Sequence, residues 1–511
     1  MTGGRHSTIG ARTLVAAVGA DVAGSGFRSL ATGIAAAIER GDLPVGARLP
    51  SERSLSATAG CSRGTVVAAY EVLRGQGLVL RRTGSGTWVR RSADRLDAPG
   101  GTGGASVSSE EHAAAVRARR LTARVLTSRA EDVIDLGLSA LHDPWELGAS
   151  MLRLSPGDLD ASAPHHGYAP SGIDPLRAAV AERYSARVPT DATQITITHG
   201  AQNSLAVATE LLVHPGDVVV VEQPTFPGAI DVFARAGARL VTVPVGDGGT
   251  DVAALARVLG RGDVRAVFLV PTCHSPTGVT TTASRRREIA ELIDAAGCWL
   301  IEDEALVPLH FDGPPPPPIA GQVRSGRTVM IGSLSKEVWA GLGVGWIRTD
   351  DVTTEHLARL RAAVDLGGSV PGQVVALRCL DGLEDRTERL RAALSARAEV
   401  LSELVDTRLP DWTWTTPTGG LSLWCRLPGG EGGPDGGTDG GTDRSPDGDD
   451  LARHAPSWGV AVLPGSSAAV DASCDAHVRL SFAAPTDQLS TGIERLSSAW
   501  DAVRRGERSR P

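Results

Sequence analysis

Lysine is almost missing from this sequence. Its 511 residues hold 51 lysines and arginines together, and Lys336 is the single lysine among them. Cysteine is scarce too. The six cysteines, Cys61, Cys273, Cys298, Cys379, Cys425 and Cys474, are scattered with no Cys-x-x-Cys pair. That spacing excludes a disulfide framework and a zinc site and suits the reduced thiols of the cytosol, so no metal is expected. No apolar run approaches the roughly 20 residues that span a bilayer, so no membrane partner is expected. The opening stretch "MTGGRHSTIGARTLVAAVGADVAG" has one short apolar patch and no cleavage site after a proper apolar core, which reads against a signal peptide. No internal repeat is found.

What is present is enough for two or three globular domains: the length exceeds one core, with 41% hydrophobic and 22% charged residues. Arginine in place of lysine, with abundant alanine and glycine, is what a GC-rich coding bias produces. Charge is unevenly placed. Residues 1–95 hold 13 arginines and six acids, a net of +7, which leaves −15 on the rest of a chain whose total is −8. A basic first fifth on an acidic body is the footprint of a nucleic-acid partner.

Along the basic part, "FRSLATGIAAAIERGDL" (27–43) has helical periodicity, with Phe27, Leu30, Ile34 and Ile38 on one face and Gly41 as its end. Ser51 can cap a helix ending at Gly60, and Ser62 a second ending at Gly75 or Gly77. "LVLRRTGSGTWVRR" alternates around Gly84-Ser85-Gly86 as a hairpin does. Three helices and a hairpin predict a winged helix-turn-helix over residues 1–91. Its second helix would be the reader, with Arg63 on a guanine edge and Ser62 and Thr65 on phosphates of a double-stranded DNA operator. Arg48, Ser51 and Arg53 flank the preceding turn; Arg81, Gly84 and Gly86 belong to the wing. A solvated arginine face on a protein-interaction domain is the plainer alternative.

Residues 92–130, Gly- and Ser-rich at first, read as a flexible linker. From 131 to 511 strand and helix patterns alternate, which predicts an α/β body with a mainly parallel sheet and a C-terminal α+β part. The acidic low-complexity stretch 428–450 reads as a disordered insertion, and "GPPPPPI" (313–319) as a stiff surface piece.

Lys336 falls in "GSLSKEVWAGLGVGWI", at the end of an apolar strand, where α/β sheets place their chemistry. Lysine can lose its proton and attack a carbonyl, which arginine cannot. Its surroundings have what pyridoxal 5'-phosphate asks for. Gly200, Ala201 and Gln202 open a helix whose N–H groups suit a phosphate, and Ser333 adds a hydroxyl. Phe226 offers a ring face, Asp303 a carboxylate for the pyridinium nitrogen, and Arg479 a fork for a ligand carboxylate. Taken singly, Phe226 could be core, Asp303 a cap and Arg479 a surface ion-pair partner.

Two resemblances follow from these residues. "LPSER", "CSRGTV" and "GSGT", within roughly 27–90, resemble the GntR-type winged-helix domain of bacterial repressors. "GYAPSGIDPLR", "THGAQ", "EQPTFPG", "HSPTG", "EDEA", "SLSK", "PTGGLSLW" and "VRLSFA", across roughly 131–505, resemble fold-type I aminotransferases. The combination resembles the MocR/PdxR class of bacterial transcription regulators. It implies a Schiff base at Lys336, Asp303 on the ring nitrogen, Phe226 on the ring, phosphate held by Ala201, Gln202 and Ser333, and Arg479 for a ligand carboxylate. It also implies a cytoplasmic, nucleoid-associated homodimer with composite sites, answering to a small amino compound or to the cofactor itself.

The chain departs from the aminotransferase pattern at Gly343, where a phosphate-gripping arginine belongs, at Ala305 and Leu306, where a tyrosine belongs, and at Ser275, the asparagine position of the cofactor loop. Loss of the charged phosphate contact implies a hold weaker by about 1.5–3 kcal/mol. In the winged helix, Val67 stands where related domains often carry a second arginine. A working aminotransferase with a tethered DNA-binding domain, and a cofactor-free regulator using the body as a dimerisation scaffold, stay open as alternatives.

Overall fold

The computed structural model describes residues 9–18, isolated positions between 27 and 43, and residues 47–75, 79–82, 86–89, 132–160, 166–429 and 446–506. The linker 92–130, Gly84 and most of the 428–450 insertion lie outside the described residues. The chain divides into two compact units, Met1–Ala105 and Ser106–Pro511.

The first unit contains helix α1 (Ala11–Val18), α2 (Glu52–Ala59), α3 (Arg63–Gly75) and the hairpin β1 (Val79–Arg82) with β2 (Gly86–Val89). Helical backbone is also present at 27, 30, 31, 33, 34 and 37. Ser51 caps α2 by accepting from the Ser54 N–H at 3.2 Å, and Gly60 ends it in the left-handed region at φ 66°, which glycine adopts without strain. Ser62 accepts from the Thr65 N–H at 3.0 Å and so caps α3. Leu14, Leu30, Ile34, Leu55, Val66, Leu73, Val79 and Val89 form one core. Phe27, expected on the buried face, is 37% exposed; it lies at the outer end of the stripe that Leu30 and Ile34 bury.

In the second unit, helix α4 (Asp174–Ser185) precedes an eight-stranded sheet. Its elements are β3 (Ile195–Thr198), α5 (Ala201–Leu212), β4 (Val218–Gln223), α6 (Pro227–Arg235), β5 (Arg239–Gly246), β6 (Gly249–Thr250), β7 (Val264–Leu269), α7 (Ala283–Ala296), β8 (Trp299–Asp303), β9 (Thr328–Ser333) and β10 (Gly345–Arg348). The strand order is β3-β10-β9-β8-β7-β4-β5-β6. Pairs from β9 to β5 are parallel; β10 runs antiparallel to both β9 and β3, and β6 antiparallel to β5. Strands with buried faces on both sides, such as Val218–Val221, read as continuous apolar runs for this reason.

Side-chain alternation sorts the sheet into two layers. Ile301, Val329, Ile331 and Ile347 pack with α5 and α6, whereas Leu300, Met330 and Trp346 pack with α4 and α7. Beyond the sheet come the long helix α8 (Leu383–Arg408) and the antiparallel strands β11 (Thr413–Trp414), β12 (Ser422–Arg426), β13 (Leu463–Pro464) and β14 (His477–Ser481), ordered β11-β12-β14-β13, with α9 (Thr486–Arg504) closing a separate core.

Two expectations are corrected. The end of the 428–450 stretch is ordered: Asp447 and Asp450 exchange side-chain and backbone hydrogen bonds as a capping box, and the helix Gly448–His454 that follows buries Leu451 and Ala452. The polyproline piece is a surface element only in its first part. Pro318 and Ile319 are buried, and the Ile319 N–H donates to the buried Glu302 carboxylate.

Candidate functional site

Lys336 lies in the turn that leaves β9. Its Nζ donates to the Ser139 carbonyl at 2.5 Å. Burial pushes its ammonium down to about 8; the nearby Arg479 adds to that shift and Asp303 opposes it. Asp303 ends β8, beside Ile331 of β9 in register. It accepts from the Ala305 N–H at 2.9 Å, and burial pushes its carboxyl up to about 6 against the pull of that N–H and of Lys336. Arg479, buried in β14, donates from Nη2 to the Gly137 carbonyl at 2.6 Å, while its Nε has no partner among the described residues. Burial lowers it to about 10, with Asp135 opposing.

Segment 135–139 therefore supplies a carbonyl to each of the two cations. Asp135 shapes it by accepting from the Gly137 and Leu138 N–H groups at 2.8 and 3.0 Å. A Cβ at Gly137 would fall 2.9 Å from the Val462 carbonyl carbon, so the close passage requires glycine. Sequence reasoning missed this segment, and no signal could have found it, because it acts through backbone carbonyls that every residue carries.

Gly200 turns the chain from β3 into α5 at φ 95°, and a Cβ there would lie 3.7 and 3.9 Å from the hydroxyls of Ser335 and Ser333. No side chain caps α5, so the N–H groups of Ala201 and Gln202 face outward at its first turn. Ser333 and Ser335 share a hydrogen bond of 2.8 Å. Phe226 stands at the start of α6, half-buried. A Cβ on Gly228 would meet both the Phe226 ring and Gln202 Oε1, so the ring and the first turn of α5 converge. Ser275 is buried at the cis Ser275–Pro276 bond, in a loop tied to segment 417–422 by the bond from Ser422 Oγ to the Pro276 carbonyl.

This donor set fits pyridoxal phosphate: an amine near neutrality, a buried carboxylate beside it, open helix N–H groups next to hydroxyls, and a ring face. At the positions of departure, Gly343 sits at φ 61° with open space around it, and Ala305 and Leu306 are buried apolar side chains.

On the winged-helix unit, Arg48, Arg53 and Arg63 are exposed. The Ser62 and Thr65 hydroxyls lie 2.9 Å apart at the start of α3. Arg63 and Val67, four apart, share a face of α3, and Val67 is 38% exposed. Arg81 pairs with Thr87 and Arg82 with Gly86 along the hairpin.

Comparison with known proteins agrees with both halves. Residues 28–89 match the family model for bacterial regulatory proteins of the gntR family, and residues 131–496 match aminotransferase class I and II. The helix-turn-helix-type regulator YdfD of Bacillus subtilis is 28% identical over 78% of this chain and 84% of its own length. The probable rhizopine catabolism regulatory protein MocR of Rhizobium meliloti is 28% identical over 75% and 78%. An aromatic-amino-acid aminotransferase of Thermococcus litoralis is 28% identical over 64% and 77%. In structure, the body is similar to a kynurenine aminotransferase of Pyrococcus horikoshii, with a TM-score of 0.65 and 27% identity over 75% of this chain and 94% of that one. Pyridoxal phosphate is the cofactor that this family indicates. The chain belongs to the aminotransferase class I and II family, among the MocR-type regulators that carry a gntR-type winged helix before that body.

Proposed function

We propose that this protein is a bacterial transcription regulator whose body holds pyridoxal phosphate at Lys336 and reads a small amino compound, or the cofactor itself, as its signal. The observation that carries the reading is the lysine: the single one in the chain donates its amine to the Ser139 carbonyl, near enough to Asp303 and Arg479 to feel both charges. The Ala201 and Gln202 N–H groups and the Ser333 hydroxyl would hold the phosphate, Phe226 the ring and Asp303 the proton on the ring nitrogen. Bound there, pyridoxal phosphate supplies an aldehyde carbon with which a primary amine condenses. Lys336, at about 8, keeps roughly a tenth of its amine unprotonated at pH 7. Asp303, at about 6, stays ionised at that pH and can hold a ring proton. The unpartnered Nε of Arg479 is available to a ligand carboxylate.

We take the working form to be a cytoplasmic homodimer, in which ligand binding to one state shifts the placement of the two DNA readers. Open space at Gly343 and apolar side chains at Ala305 and Leu306 favour sensing over turnover, since no guanidinium grips the phosphate from 343 and no phenol stands at 305 or 306. The test is an absorbance spectrum of purified protein before and after borohydride, paired with operator binding. A visible band that borohydride removes and Lys336→Ala lacks, with operator affinity that responds to the cofactor or an amine, is expected. No band, together with operator affinity indifferent to both pyridoxal phosphate and Lys336→Ala, would sink the reading.

A further inference from the structure

Behind the lysine pocket, on the opposite face of the sheet, lies a cavity of about 230 Å³. Strand alternation places it there. Asp303 shares its side of β8 with Ile301, in the layer of α5 and α6; Glu304, the next residue, follows Leu300 and Glu302 toward α4. Three guanidinium groups, Arg183, Arg187 and Arg391, and three carboxylates, Glu304, Glu337 and Glu384, line the cavity. Arg183 Nη2 pairs with Glu337 Oε1 at 2.6 Å, and Arg187 Nη2 with Glu304 Oε1 at 2.8 Å. Arg391 pairs with Glu384 at 3.3 Å, and the Glu384 side chain, 84% exposed, marks the mouth.

The two inner pairs use only part of their bonding capacity. Among the described residues, Glu337 Oε2, Arg187 Nε and Arg391 Nε have no hydrogen-bond partner, and Glu304 Oε2 has none but the neighbouring Tyr184 phenol. Glu337 is 1% exposed and Glu304 5%. The Tyr184 phenol accepts from Trp346 Nε1 at 3.1 Å and keeps its own O–H for the Glu304 carboxylate beside it, which leaves Glu337 Oε2 as the freer acceptor. Buried carboxylate oxygens and guanidinium N–H groups without partners are rare, because nothing offsets their lost hydration. The Glu337 acceptor and two guanidinium donors left over in one cavity, with a wall of zero net charge, match a ligand that carries both an ammonium and a carboxylate. The volume is that of about eight waters, far more than one bridging water needs and enough for an amino acid.

We propose that this cavity binds a small zwitterion of amino-acid type, its ammonium group at Glu304 and Glu337 and its carboxylate at Arg187 and Arg391. The site does not include Lys336 and needs no cofactor, although Ser333, placed above at the cofactor phosphate, also lines the cavity. Its two carboxylates nonetheless each follow directly on a member of the lysine pocket, Glu337 on Lys336 and Glu304 on Asp303.

Calorimetric titration of full-length Lys336→Ala protein with glycine, β-alanine and L-lysine tests this without chemistry at the lysine. At least one probe is expected to bind with a Kd below about 10 mM, and acetate and methylamine at least about tenfold more weakly. Added to that background, Glu337→Gln keeps the acceptor that faces Arg183 but turns the free acceptor into a donor, and should weaken binding about tenfold or more. Ala186→Trp, an exposed position on the cavity wall, should block entry and keeps the test decisive if Glu337→Gln fails to fold. No binding by any probe overturns the proposal. So does binding that wild type shows and Lys336→Ala lacks, or binding that Ala186→Trp leaves unchanged.

Discussion

The cations of the winged helix and those of the lysine pocket are handled in opposite ways. Arg48, Arg53 and Arg63 stand exposed, where a guanidinium would reach DNA through a field that salt screens. Lys336 and Arg479 are held by the backbone carbonyls of Ser139 and Gly137, and both lose basicity to burial. The first task asks for a fixed charge and a fork of N–H donors, and arginine supplies both. The second task asks for a proton that can leave, and lysine supplies it. The single lysine of the sequence marks the boundary between the two.

The comparison is broken most strongly at Asp303. Its carboxyl is raised to about 6 in the fold from a reference value of 3.8. An acid raised in the folded state contributes stability below about pH 4 that is lost as pH rises through 6. Asparagine cannot ionise, so Asp303→Asn in cofactor-free protein should gain on wild type between pH 4 and 7, by up to about 3 kcal/mol at neutral pH. Cofactor affinity should fall tenfold or more in the same variant, the usual opposition between stability and a functional buried charge. Denaturant titrations at pH 4.5 and 7.5 check the first half; a wild type that is the more stable at the higher pH contradicts the burial argument.

Arg63→Ala tests the exposed side. Losing a paired guanidinium at a base edge should weaken operator binding by about 1–3 kcal/mol and relax discrimination at one base pair. The visible absorption of the body should be unchanged. A loss of binding that is uniform across operator variants would reassign Arg63 to a phosphate.

The parts of this design that were legible in the sequence are those written in local pattern. Alternation and helical period place Asp303 at a strand end and Gly200 at a helix start, and Lys336 stands out by its rarity. What escaped is carried by backbone atoms or by distant pairs. Ser139 and Gly137 act through carbonyls, which leave no mark on residue type. Arg183 and Glu337, 154 positions apart, show their pairing only once α4 is laid across the end of β9. The helix Gly448–His454 was hidden by acidic composition, although its Asp447-x-x-Asp450 box is a local signal that composition outweighed. Helix α1 was passed over because a single short apolar patch does not declare a period. The helical period puts Phe27 on the buried face, yet burial begins only at Leu30.

The smallest effect sharpens the comparison at a residue that belongs to both structure and recognition. The sequence suggests a phosphate contact at Ser62, yet its hydroxyl accepts from the Thr65 N–H and lies 2.9 Å from the Thr65 hydroxyl. Either hydroxyl can donate across that pair; with Thr65 donating, the Ser62 proton is free for a phosphate, so the two roles are compatible. Substitution separates them. Ser62→Ala removes the cap and should cost about 1 kcal/mol in the stability of the winged helix. Ser62→Asp restores the cap, since aspartate caps as well as serine and suits the positive end of α3, so the melting temperature should return to that of wild type. If Ser62 also meets a phosphate, the aspartate variant must still bind DNA worse than wild type. Repulsion between like charges weakens with screening, so the deficit should be larger at low salt than at high salt. An aspartate variant that binds DNA like wild type at every salt concentration would leave Ser62 a cap alone, and would shift the phosphate contacts of this helix start to Thr65 and the exposed arginines.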